Sequence, residues 1–190
     1  MLFKDRKRDI FTIPNVLSLF RLLLIPIYLK LYLTAKEPMQ YHAAGIVLAI
    51  SCLTDAMDGY IARRWNQGST LGKILDPLAD KVTQFSLILC LSIRYTILRA
   101  VLVLLVLKEV VQTAFALLYI RKGKVLSGAL ISGKVCTTVL FVSLTALVLF
   151  PQISHRIIDL IAVTDAFFLL VAFFSYLTAY LDSSKLQDLE

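Results

Sequence analysis

Asp55, Asp58, Asp76 and Asp80 fall within 26 residues of a chain that is otherwise strongly apolar. A carboxylate beside hydrocarbon is costly, so it requires a compensating partner or a chemical task. Asp55 and Asp58 are three residues apart and Asp76 and Asp80 four apart, spacings that put each pair on one face of a helix. The short turn between them predicts antiparallel neighbours whose acid pairs face each other. Four converging carboxylates stay ionised only where cations compensate them. Oxygen donors without an accompanying His or Cys select a hard divalent cation, Mg2+ or Mn2+.

The surrounding residues extend that chemistry. Gly59 and Ala62 follow one turn after the first acid pair, and small side chains there allow close helix packing or a flat ligand against the backbone. Arg63 is either a bidentate phosphate clamp or a charge at the membrane edge. Together these residues suit phosphoryl-type transfer from a diphosphate. The metal neutralises the diphosphate, and a free carboxylate takes the proton of an attacking hydroxyl. The competing classes are a buried charge network and a cation-conducting transporter, to which Glu109, Asp159 and Asp165 lend some support.

The elements that must hold these groups are membrane helices. The chain has 190 residues, 58% of them hydrophobic, and a mean hydropathy of +0.79, too apolar for an ordinary soluble domain. The apolar residues run in long blocks, and most reach the roughly 20 residues that a bilayer core requires. The expected fold is all-α and polytopic: one domain over 1–190, with six transmembrane helices near 14–33, 41–63, 74–93, 97–120, 134–150 and 157–181. Residues 1–12 are expected as a short interfacial helix or a topogenic flank.

Three details within the spans stand out. Asn15, Ser18 and Arg21 form a polar stripe at intervals of three, so Arg21 either contacts a phosphate or snorkels to the interface. Pro26 is expected to kink the first span. Asp165, in the last span, is expected to pair with a basic group such as Lys108 or to occupy a polar crevice.

The net charge of +7 does not indicate nucleic acid, because Lys and Arg collect in short segments between apolar blocks. They are dense on the side of the N-terminus and sparser on the other, where Lys30, Lys36, Arg94, Arg99 and Arg156 fall. Both termini and the acid-bearing half of the spans are therefore expected in the cytoplasm. Cys52, Cys90 and Cys136 lack metal-type spacing and read as small buried hydrophobes. The first span is too long and interrupted for a cleavable signal peptide.

The pattern D-x2-D-G-x2-A-R-x8-G-x3-D-x3-D, eight fixed positions from Asp55 to Asp80, resembles the signature of the CDP-alcohol phosphatidyltransferases. Ile13 to Ser18 with Arg21 and Pro26, Ala62 to Gln67, Leu75 to Lys81, and Gly133 to Val135 with Thr137 and Thr138 are similar to the bacterial phosphatidylglycerophosphate synthases within that family. The resemblance implies a homodimer of six-helix chains in the bacterial cytoplasmic membrane. It implies Asp55, Asp58, Asp76 and Asp80 as ligands of two Mg2+ or Mn2+ ions, with Asp80 also the general base. Gly59, Ala62, Arg63, Gly72 and Asn15 would line the CDP site. The implied donor is CDP-diacylglycerol and the implied acceptor sn-glycerol 3-phosphate, its phosphate met by Arg21, Arg121, Lys124, Lys134 or Lys108. One departure bears on the acceptor. An Arg-Glu pair and a following Arg are expected in the fourth span, whereas this chain has Lys108-Glu109 and no Arg at 112–114. Lys is a point charge and does not copy the Arg fork. A lipid alcohol, phosphatidylglycerol, is therefore the alternative acceptor, as in cardiolipin synthases of the family.

Overall fold

The computed structural model describes residues 12–64, 72–126, 130–182 and 186–188, with the backbone alone at 13, 14, 38, 55–64, 72–74, 76, 77, 125, 126 and 186–188. The described residues form six helices, α1 (Ile13–Thr34), α2 (Pro38–Arg64), α3 (Gly72–Arg94), α4 (Leu98–Arg121), α5 (Ile131–Leu149) and α6 (His155–Leu181). Two short strands, β1 (Lys124–Leu126) and β2 (Leu186–Asp188), accompany them. The protein is an all-α, polytopic membrane protein, as its apolar blocks predict. The juxtamembrane segment expected at 1–12 lies outside the described residues except for Thr12.

Helix length follows from the bilayer. The 22 residues of α1 rise about 33 Å at 1.5 Å per residue, against a hydrocarbon thickness of about 30 Å. By length and composition α1, α4, α5 and α6 can each cross a membrane, and Met39–Thr54 within α2 is a shorter apolar stretch. Acid-bearing α3 carries Lys73, Asp76, Asp80, Lys81 and Arg94 and does not meet that measure.

Local signals set the helix limits. Thr12 caps α1 by accepting the Asn15 N–H on Oγ1, and Pro14 lies in the first turn, where its missing N–H costs little. The helix continues past Pro26, which leaves the Leu22 carbonyl without its usual donor. The connection to α2 is clipped by two side chains. Gln40 Oε1 accepts the N–H groups of Lys36 (2.6 Å) and Glu37 (3.3 Å), and the Tyr41 hydroxyl donates to the Ala35 carbonyl (3.1 Å). After α4 the chain turns at Gly123, whose φ of 73° is one that residues with a Cβ rarely adopt.

Contacts divide the chain into two compact units, Met1–Cys90 with Val148–Gln152, and Leu91–Leu147 with Ile153–Glu190. In the first, α1 packs along α2. Leu24, Ile25 and Tyr28 of α1, Leu48 and Ser51 of α2, and Thr83 and Ser86 of α3 line one crevice. Gly45 admits a close neighbour, since a Cβ there would stand 3.1 Å from Leu149 Cδ2.

In the second unit α4 packs against α6. The buried positions of α6 include Ile158, Ala162, Asp165, Leu169, Ala172, Tyr176 and Ala179. Their alternating spacing of four and three forms a narrow seam of coiled-coil type. The stacks Phe115–Tyr180 and Tyr119–Tyr180, with centroids 5.6 and 5.5 Å apart, continue it toward the C-terminal ends of both helices. Outward faces are just as apolar, with Val103, Leu107 and Val110 on α4 and Leu160, Val163, Phe167 and Phe174 on α6 exposed. So continuous an apolar exterior suits lipid and not water.

One small element has no counterpart in the sequence pattern. The basic loop after α4 and the polar tail after α6 are not both irregular: β1 and β2 pair antiparallel, with Lys124 opposite Asp188 and Leu126 opposite Leu186.

Candidate active site

The four aspartates stand on the two helices that flank one connection. Asp55 and Asp58 lie in the last three turns of α2, and Asp76 and Asp80 in the first three turns of α3. Both helices are continuous there, so the spacings of three and four residues are helical spacings. The side chains of Asp55, Asp58, Asp76, Gly59, Ala62, Arg63 and Gly72 lie outside the described residues. The crevice lined by Ser51 and Thr83 begins one turn from Asp55 and Asp80 respectively.

Asp80 is the acid whose surroundings are described. Its side chain is 55% exposed, and its Oδ1 accepts a hydrogen bond from Nη1 of Arg21. Arg21 itself is 2% exposed. It therefore does not snorkel, and its guanidinium is directed at Asp80. The polar stripe of α1 is buried along its length, with Asn15 at 3% and Ser18 at 0%. A side chain of α1 thus meets a residue of α3 fifty-nine positions away. The one clue legible in the sequence is a cation and an anion each placed in apolar surroundings; their pairing is not legible there.

The remaining candidates belong to the second unit. Arg121 is exposed at the end of α4, Lys124 opens β1, and Lys134 is exposed in the first turn of α5. Lys108 is 7% exposed. Its ammonium donates to Glu109 Oε1 at 2.6 Å and stands 5.8 Å from the Tyr176 ring centroid, a cation–π arrangement. The expected pairing of Lys108 with Asp165 does not occur. Asp165 is fully buried and takes the Ser143 hydroxyl, which lies 2.8 Å from both carboxylate oxygens. Glu109 wins the lysine because it is adjacent on the helix and still reaches the half-buried edge, while α5 presents a hydroxyl directly to Asp165. Gly133, next to Lys134, has a steric role. A Cβ there would stand 2.6 Å from Tyr176 Oη. Ser143 and Tyr176 carry no sequence signal of their own.

The donor set at the α2–α3 connection is carboxylate oxygen throughout, and its described member stays more than half exposed. That chemistry fits a hard divalent cation, for which Asp55, Asp58, Asp76 and Asp80 would be the holders.

Helices of membrane length, with four acids on the two helices that flank one connection and a buried arginine paired with the last of them, define an integral membrane protein. The chain belongs to the CDP-alcohol phosphatidyltransferase family, whose profile matches residues 11–180. It is 44% identical over 87 residues to a cardiolipin synthase (CMP-forming) of Streptomyces coelicolor, a stretch covering 45% of this chain and 40% of that protein. It is 42% identical over 72 residues to the CDP-diacylglycerol–glycerol-3-phosphate 3-phosphatidyltransferase of Escherichia coli, covering 38% of this chain and 39% of that one. A Schizosaccharomyces pombe cardiolipin synthase (CMP-forming) / mitochondrial hydrolase fusion protein is 41% identical over 90 residues, 47% of this chain and 14% of its own length. The chain thus matches well under half the length of these curated relatives.

Proposed function

We propose that this protein transfers the phosphatidyl group of CDP-diacylglycerol to a hydroxyl of sn-glycerol 3-phosphate, releasing CMP and forming phosphatidylglycerophosphate. The observation that carries this reading is the family match over residues 11–180, which contains the complete eight-position acidic signature. The protein works as a homodimer in the bacterial cytoplasmic membrane, with both termini and the acidic site on the cytoplasmic side.

The chain's own groups divide the work. Gly59, Ala62 and Gly72 leave room for the nucleotide against the backbone, Arg63 grips its phosphate, and Asn15 completes that wall. Two Mg2+ or Mn2+ ions, held by Asp55, Asp58, Asp76 and Asp80, would neutralise the diphosphate. Asp80 takes the proton of the acceptor hydroxyl as its oxygen attacks the lipid-bearing phosphorus. The bond from that phosphorus to the CMP oxygen breaks, and CMP leaves. Lys134, Arg121 and Lys124 supply positive charge for the acceptor's phosphate, while Lys108, buried against Glu109 and Tyr176, is not available to it.

A second acceptor has a specific observation in its favour. Lys108 and Glu109 pair with each other where an Arg-Glu pair is expected of the synthase branch, and relatives named cardiolipin synthase match as well as the glycerol-phosphate enzyme. Phosphatidylglycerol as acceptor would then give cardiolipin. The test supplies purified protein with CDP-diacylglycerol, Mg2+ or Mn2+, and one acceptor at a time: sn-glycerol 3-phosphate, phosphatidylglycerol, inositol phosphate or serine. Phosphatidylglycerophosphate is the expected product. Cardiolipin would transfer the assignment to the second acceptor, and a serine or inositol lipid would overturn both. Cation flux in proteoliposomes without CMP release would make the protein a transporter.

A further inference from the structure

We propose that Arg21 is the positioning residue of Asp80, so that the acidic site is built by three helices and not only by the two that carry its signature. This rests on the reading of Asp80 as the general base. The signature from Asp55 to Asp80 contains no residue of α1, yet the guanidinium of Arg21 donates to Asp80 Oδ1.

Two features separate this role from the two that a lone arginine in a membrane helix suggests. A snorkelling arginine keeps its head in water, whereas Arg21 is 2% exposed. A clamp for a soluble phosphate must be reachable, and the same burial denies that. The pairing is also asymmetric: the cation is enclosed while the carboxylate side chain remains 55% exposed. Asp80 is thus held from within the protein by a cation that does not itself reach the surface. An anchored carboxylate whose side chain also reaches the surface is what a base needs in order to meet a hydroxyl at fixed geometry, since small misplacements cost rate heavily.

The anchor is stiff as well as charged. Arg21 sits within α1 between Ser18 and Leu24, both buried, on the side of α1 that also supplies Leu24, Ile25 and Tyr28 to the crevice shared with α2 and α3. Its planar fork fixes direction in a way that a lysine ammonium does not. Partners of this kind, one step behind a metal ligand, typically change metal affinity by about 10- to 100-fold when removed.

The test compares Arg21→Gln, Arg21→Lys, Asp80→Asn and Arg21→Gln/Asp80→Asn, with two readouts. One is CMP release with kcat and KM separated for each substrate. The other is Mn2+ binding to protein without substrate, followed by electron paramagnetic resonance. Arg21→Gln is expected to lower kcat by about 100-fold or more, leave the KM for the acceptor within about twofold, and weaken Mn2+ binding about tenfold. Arg21→Lys recovers part of each loss. In the Asp80→Asn background, Arg21→Gln has no further effect on Mn2+ binding. A raised acceptor KM with intact kcat would make Arg21 a phosphate clamp and overturn the proposal, as would equal Mn2+ losses in both backgrounds. Should Arg21→Gln fail to fold, Arg21→Lys decides by the same split. Absence of CMP release from the unaltered protein would instead sink the transferase reading, and the Mn2+ comparison would still judge the Arg21–Asp80 link.

Discussion

Replacing Gly133 with alanine should destabilise this protein, against the usual sign for such a change inside a helix. Alanine is worth as much as about 1 kcal/mol over glycine by helix propensity alone. In α5, however, the new Cβ would lie 2.6 Å from Oη, 2.8 Å from Cε2 and 3.1 Å from Cζ of Tyr176. The obstruction is a rigid ring, 8% exposed, with Lys108 on its face. Overpacking of this kind costs about 1–3 kcal/mol, so the net loss should reach up to about 2 kcal/mol once a propensity gain of about 1 kcal/mol is deducted. In a Tyr176→Leu background the ring is gone and alanine at 133 should become neutral or stabilising by up to about 1 kcal/mol. The coupling energy of the double-mutant cycle should therefore be about 1–3 kcal/mol. Reversible unfolding in mixed detergent micelles, read by circular dichroism, measures all four proteins. An additive cycle would show that Gly133 and Tyr176 do not meet as described.

Other perturbations test separate parts of the molecule. Asp80→Asn should reduce CMP release by about 100-fold or more, the range of positioned proton transfer, with membrane insertion unchanged; full turnover would remove Asp80 from the role of base. Ser143→Ala should cost about 1–3 kcal/mol by leaving buried Asp165 without its hydroxyl, and Ser143→Thr should restore most of it, whereas an unaffected Ser143→Ala protein would mean that Asp165 has another partner. Chelation with EDTA should stop CMP release, and either Mg2+ or Mn2+ should restore it; metal-independent turnover would contradict the assignment of the aspartates.

Much of the helical body is legible in the amino-acid pattern. The bilayer makes one-dimensional demands of length and apolarity, so blocks such as Val135–Phe150 and Ile157–Tyr180 read as spans whatever their neighbours are. The acidic constellation is legible for a related reason, since helical spacing relates Asp55 to Asp58 and Asp76 to Asp80 within single elements. Pairings across elements are not. The spacing of Arg21 points to a phosphate or the interface, and the residue instead meets Asp80. Charge complementarity matches Lys108 with Asp165, yet Lys108 holds its neighbour Glu109 while Asp165 takes Ser143. The β1–β2 ladder joins a basic loop to a tail that looks merely polar, because strands of three residues leave too short a pattern to read.

Sequence alone therefore determined the class of element, its length and the helical placing of the four aspartates, all of which depend on residues near one another in the chain. Tertiary structure alone decided which buried charge meets which partner. In a low-dielectric interior every polar group must find compensation. Which partner it finds depends on how neighbouring helices are packed and rotated, quantities that no single span encodes. Spacing is enough to recognise the four aspartates; that a buried arginine on the first helix anchors the last of them is visible only in the fold.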